Sequence, residues 1–202
     1  MIVRGNAHAA RGVAERLVGI SPNLTLDAII NGLNIVRDLG EIKEYSEERI
    51  NASRAAVCEA LRAFKVNVHS KDVAFKGRVA LGSYGSAQEA ELELLSAALG
   101  LAGLEIINLA SGESPTGLLR NAADHKVDVL VAYVNDDTPE SWLEDLAKAI
   151  VGGNFQQVFE TIVFASSAAP VALGNIIKGI TYDLDEVAAK VTELLIAKRK
   201  SR

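Results

Sequence analysis

At 202 residues, with 49% hydrophobic and 23% charged residues, the chain is long enough for one globular domain or two small ones with a sizeable core. Aromatic residues are only 5%, so that core is built mainly from Ala, Val, Ile and Leu, and the net charge of -5 argues against a surface devoted to nucleic acid. The one cysteine, Cys58, excludes an intrachain disulfide or a thiolate metal cluster, and its apolar helical setting marks it as a buried, inert thiol.

The start, Met1-Ile2-Val3-Arg4-Gly5, lacks a signal-peptide layout, and no apolar run approaches a membrane span. A soluble cytoplasmic protein is expected. Apolar residues then recur at intervals of three and four: Val13, Leu17 and Val18; Leu26, Ile29, Ile30, Leu33 and Val36; Ile50, Ala56, Val57, Ala60, Leu61 and Phe64. Ser21-Pro22 breaks this pattern first and Glu44-Tyr45-Ser46 second, so three helices are expected over roughly residues 6 to 65. Lys65 to Gly77 has mixed polarity and no helical period. A linker is expected there, dividing a helical bundle at residues 1–70 from a second domain at 77–202.

From Arg78 onward, short apolar runs alternate with amphipathic helical stretches, the sequence form of βαβ units. The runs are Arg78 to Gly82, Leu104 to Ala110, Val127 to Val134, Thr161 to Ala165 and Gly179 to Tyr182. Five strands with four crossovers predict a flavodoxin-like (Rossmann-like) α/β domain with a parallel sheet. Helix starts agree: Ser86 and Glu89 have capping-box spacing, and Asp183 with Glu186 repeats it. Ser114-Pro115 and Thr138-Pro139 each place a capping hydroxyl before a proline at the first helical position. The basic run Lys198 to Arg202 reads as a solvated tail complementing the dipole of the last helix.

In an open parallel sheet, ligands bind beyond the carboxyl ends of the strands, where strand order reverses. That rule selects Gly82, Ser83, Tyr84, Gly85, Ser86 and Gln88 after the first strand, Asn135 to Thr138 after the third, and Ser166 and Ser167 after the fourth. The glycine-serine loop can cradle an anion with its amides, and a tight turn closed by a capping box accounts for it equally. It has neither a Walker lysine nor dinucleotide glycine spacing. Asp136-Asp137 alone makes a poor metal cage, and His8, His69 and His125 are too far apart in sequence for a ligand set, so no metal site is expected. Without a G-x-S-x-G elbow a hydrolase has little support, and no catalytic residue is assigned.

In the helical part, Ile30-Asn31-Gly32-Leu33, Leu39-Gly40-Glu41 and the stretch Arg54 to Leu61 follow a known pattern, as do Val79 to Ser83, Leu104 to Leu109 and Ala122 to Leu130 in the second part. With these segments the chain resembles, over nearly its whole length, the corrinoid (cobalamin-binding) proteins of methyltransferase systems and the matching module of methionine synthase. The resemblance implies a helical cap over a flavodoxin-like domain, with cobalamin between the cap and the carboxyl edge of the sheet. The ligand motifs depart from the family. Where it carries D-x-H-x-x-G to place histidine under cobalt, this chain reads Ser86-Ala87-Gln88-Glu89-Ala90-Glu91, with Gln88 at the histidine position. An amide is a far poorer nitrogen donor than imidazole. At the family's S-x-L after the third strand stands Tyr133-Val134-Asn135, and its paired glycines after the fourth fall near Ser167-Ala168.

The family buries the nucleotide tail of cobalamin in a channel lined by small residues beside the first and fourth strands, so Tyr133 and Ser167 narrow it. The function so implied is a corrinoid-protein homologue binding cobalamin or a related tetrapyrrole without histidine ligation. It would serve as a methyl carrier or cofactor-handling subunit beside a separate methyltransferase, rather than as a catalyst in its own right. The alternative is a non-enzymatic binding or regulatory module that kept the fold and lost the cofactor. An enzyme acting on a small anion at the Gly82 to Ser86 loop is a third reading.

Overall fold

A computed structural model describes residues 1–68, 77–84, 89–109, 114–134, 138–165, 177, 180–181 and 184–200. The chain forms two compact units. The first contains a 3-10 turn at Ile2–Arg4 and the helices α1 (Ala7–Val18), α2 (Pro22–Glu41), α3 (Glu47–Val68) and α4 (Glu89–Leu101). The second contains β1 (Arg78–Ser83), β2 (Glu105–Asn108), α5 (Pro115–Asp124), β3 (Val129–Val134), α6 (Glu140–Gly152), β4 (Glu160–Ala165), β5 (Ile180–Thr181) and α7 (Leu184–Lys200). None of the described helices is long and apolar enough to cross a membrane.

In the helical unit, Asn6 caps α1 by accepting from the Ala9 amide at 3.0 Å, and Ser21 caps α2 ahead of Pro22 at its first position. Gly5 takes φ +65, and a Cβ there would also stand 2.8 Å from that of Ala52, so glycine is required twice over. The Tyr45 hydroxyl donates to the Val3 carbonyl at 2.9 Å, holding the 3-10 turn to the α2–α3 connection. The buried face of α1 is Ala10, Ala14 and Val18: Val18 is buried as expected, while Ala10 and Ala14 take the inner positions in place of Val13 and Leu17. Small alanines let α1 lie close on α3, which leaves Leu17 38% exposed. Cys58 is buried in α3, as expected.

Two boundaries differ from the sequence expectation. Helix α3 runs on to Val68, because Lys65 pairs with Glu93 of α4 and stays within the bundle. Through that pair, and through Arg54 with Glu91 at 3.7 Å, α4 belongs to the helical unit rather than to a continuous domain at 77–202.

The sheet is parallel throughout, in the order β2-β1-β3-β4-β5, the flavodoxin-like order. Four strands of four to six residues carry it, and the fifth is reduced to the two residues of β5. Central strand β3, Val-Leu-Val-Ala-Tyr-Val, is buried at every position, as a strand covered on both faces must be. On one face, Ala80, Leu130, Ala132, Val134 and Val163 form a core with Leu118 and Leu119 of α5 and Trp142, Leu143 and Leu146 of α6. Helix α7 packs on β3, β4 and β5 through an apolar stripe that includes buried Val187, Val191 and Leu195.

Helix ends refine the expected caps. Ser114 Oγ accepts from the Gly117 amide at 3.2 Å, as predicted. At α6, however, Pro139 is the N-cap rather than the first helical residue: its backbone is extended (ψ 141) and its carbonyl takes the Trp142 amide at 2.9 Å. The Ser86 box and the Asp183 cap lie outside the described residues. The basic tail is also not wholly solvated, since Lys198 Nζ reaches Asp128 at 3.1 Å and donates to the Val158 carbonyl at 3.2 Å.

Candidate functional site

In this strand order the topological switch falls between β1 and β3, so the candidate site is the carboxyl edge of those strands. Of the sequence-selected residues, Gly82 and Ser83 end β1, Tyr84 follows them, and Tyr133 is the penultimate residue of β3. Gly85, Ser86, Gln88, Asn135, Ser166 and Ser167 lie outside the described residues.

The register brings Ser83 beside Tyr133 and Tyr133 beside Phe164 of β4, three residues at one level on one face. Tyr133 is 1% exposed, and its ring lies 5.5 Å from that of Phe164 at 40°. Beside it Ser83 is also buried, and its Oγ has no hydrogen-bond partner among the described residues. On the other face, Gly82 touches α5 closely enough that a Cβ would stand 2.2 Å from Leu118 Cδ1. There Tyr84 meets Trp142 edge to face, centroids 5.7 Å apart at 64°.

Trp142 is buried in the first turn of α6. What sequence reasoning missed is its indole Nε1, buried with no hydrogen-bond partner among the described residues. A buried donor of this kind costs stability unless something accepts from it. The signal available in advance was the one tryptophan of the chain, standing three residues after a proline at the start of a crossover helix.

Glu91, in α4, lies within the helical unit. Its Oε2 is buried without a hydrogen-bond partner among the described residues, and burial pushes its carboxyl above the ordinary range, with Arg54 pulling it partly back. His125 closes α5, its Nδ1 2.8 Å from the Asn121 carbonyl oxygen. Among the described residues, no group of three or more His, Cys, Asp or Glu is placed to hold a metal ion.

The chain superposes on the monomethylamine corrinoid protein of Methanosarcina barkeri with a TM-score of 0.76, covering 96% of this chain and 94% of that one at 19% identity. Its fold is that of the corrinoid proteins. The methanol:cobalamin methyltransferase complex of the same organism matches at a TM-score of 0.53, over 86% of this chain and 67% of that chain at 14% identity. A cobalamin-binding protein from Desulfitobacterium hafniense DCB-2 matches at 0.50, over 96% and 94% at 10% identity. No protein-family model matches the sequence, and no curated protein does.

At the level where the resemblance implies a channel lined by small residues, the Tyr133 and Phe164 rings fill the face between β1 and β4.

Proposed function

We propose that the protein is a corrinoid-protein homologue that holds cobalamin or a related tetrapyrrole without histidine ligation, its nucleotide tail kept out of the sheet. The residues assigned to the site are Gly82, Ser83, Tyr84, Gly85, Ser86, Gln88, Tyr133, Asn135, Ser166 and Ser167. The observation that carries this reading is the end-to-end likeness, at a TM-score of 0.76, to a protein named for its corrinoid. When bound, the corrinoid supplies the methyl-carrying chemistry, and this chain orients it and excludes water. A partner methyltransferase is supported by the neighbour solved as a methyltransferase complex. The working place of such a carrier is the cytoplasm.

The buried Tyr133–Phe164 pair favours a second reading, a binding or regulatory module that kept the fold and lost the cofactor. Trp142, the only tryptophan, separates the two, because a corrinoid at this edge absorbs at its emission wavelength. Saturable quenching by hydroxocobalamin or dicyanocobinamide supports the carrier. Fluorescence that stays constant with both, after correction for absorbance, supports the module.

A further inference from the structure

Helix α4 packs on α2 and α3 within the helical unit, and two of its glutamates meet cations of α3: Glu93 pairs with Lys65, and Glu91 with Arg54. The two pairs are built differently. Lys65 donates a hydrogen bond to Glu93. Glu91 Oε1 instead stands 3.7 Å from Arg54 Nη2, beyond hydrogen-bond reach, and its Oε2 is buried with no hydrogen-bond partner among the described residues. The other cation acting on Glu91 is Arg37 of α2, which is largely exposed and is itself held by Asp38 at 3.8 Å and Glu41 at 3.9 Å. An ionised carboxylate placed in this way lacks the donors that make a buried charge tolerable, whereas a neutral carboxyl leaves only a hydroxyl to satisfy. Burial accordingly raises the Glu91 carboxyl above its ordinary value of 4.5, while Arg54, the residue's own amide and Arg37 act the other way.

We propose that Glu91 is a pH-sensitive latch: with its carboxyl neutral, α4 lies firmly on α2 and α3, and ionisation loosens α4 from them. The direction follows from linkage, because docked α4 keeps a proton that the loosened helix gives up. Docking is therefore firm below the ordinary value of 4.5 and weakens as pH climbs through the raised one. Arg54 sets how far up the pH scale the change extends, since its charge favours the ionised form. Lys65 and Glu93 supply a second tie between the same two helices, with its hydrogen bond already made. The latch is independent of the corrinoid reading, because Arg37, Arg54 and Glu91 all lie in the helical unit.

The test is hydrogen exchange of the full chain from about pH 4 to about pH 8, read on peptides of α4 and α6 and corrected for the intrinsic acceleration of exchange with pH. Protection of α4 should fall with rising pH by up to about tenfold per pH unit, the limit for one proton, and should fall further than that of α6. Glu91→Gln should hold α4 protection level across this range, whereas Glu93→Gln should keep the fall. Arg54→Gln should extend the fall to higher pH, and the midpoint of the Glu91 carboxyl-carbon shift in NMR should move up with it. Level protection of α4 in the parent protein, a fall that survives Glu91→Gln, or an equal fall in α6 overturns the proposal.

Discussion

Tyr133 and Phe164 are register partners on adjacent parallel strands, their rings 5.5 Å apart and both side chains buried at the carboxyl edge of the sheet. Tyr133→Ala should therefore cost about 3–5 kcal/mol of folding stability, through lost transfer energy and the cavity left behind. A double-mutant cycle with Phe164→Ala should return a coupling of about 0.5–1.5 kcal/mol for the ring pair. Urea denaturation of the four proteins measures both, and strictly additive effects would show that the rings do not support one another.

Gly82→Ala tests the same edge from the opposite face. The added methyl would stand 2.2 Å from Leu118 Cδ1, and Leu118 is fully buried, so its side chain has little room to withdraw. A loss of about 1–3 kcal/mol is expected by overpacking. A neutral substitution in thermal denaturation would mean that α5 yields more readily than its packing implies.

Glu91 gives a pH dependence. Burial raises its carboxyl in the folded protein above the ordinary value of 4.5, with Arg54 acting the other way. As pH rises past the ordinary value, the unfolded chain gives up this proton first while the folded protein still holds it. The contribution of Glu91 to stability is thus fully present below the ordinary value and is lost as pH climbs through the folded one. Glu91→Gln removes that slope, so the variant should gain on the parent protein from acidic to neutral pH. Denaturation midpoints for the pair across that range check the sign.

Lys198 ties the last helix to Asp128 and to the Val158 carbonyl, with both charged side chains about three-quarters buried. Lys198→Ala should destabilise by about 1 kcal/mol, and the difference should shrink in high salt. A loss independent of salt would assign the effect to the lysine stem and not to its charge.

The strand and helix pattern was legible because its signals are local. Apolar runs bounded by turns marked β1 to β4, and the serine before Pro115 marked a helix start that the structure keeps. Thr138-Pro139 misled because proline suits the extended N-cap backbone as well as the first helical position. On α1 only Val18 of the expected face is buried, because Ala10 and Ala14 carry the remaining contacts and alanine gives little hydrophobic contrast. In the candidate site, Ser83 and Tyr133 could each be named from the chain. Their pairing with Phe164, and the unpartnered donor of Trp142, depend on strand register and helix placement across the sheet.

The central claim, that this fold retains a corrinoid without histidine beneath the cobalt, is tested most directly by colour. Purified protein is mixed with hydroxocobalamin, methylcobalamin or dicyanocobinamide, freed of excess ligand by gel filtration, and examined by visible absorption. The account predicts stoichiometric corrinoid with a spectrum shifted from that of the free cofactor, and no change in its cobalt-ligand bands when Gln88 is replaced by alanine. Protein that leaves the column colourless with every corrinoid would contradict it.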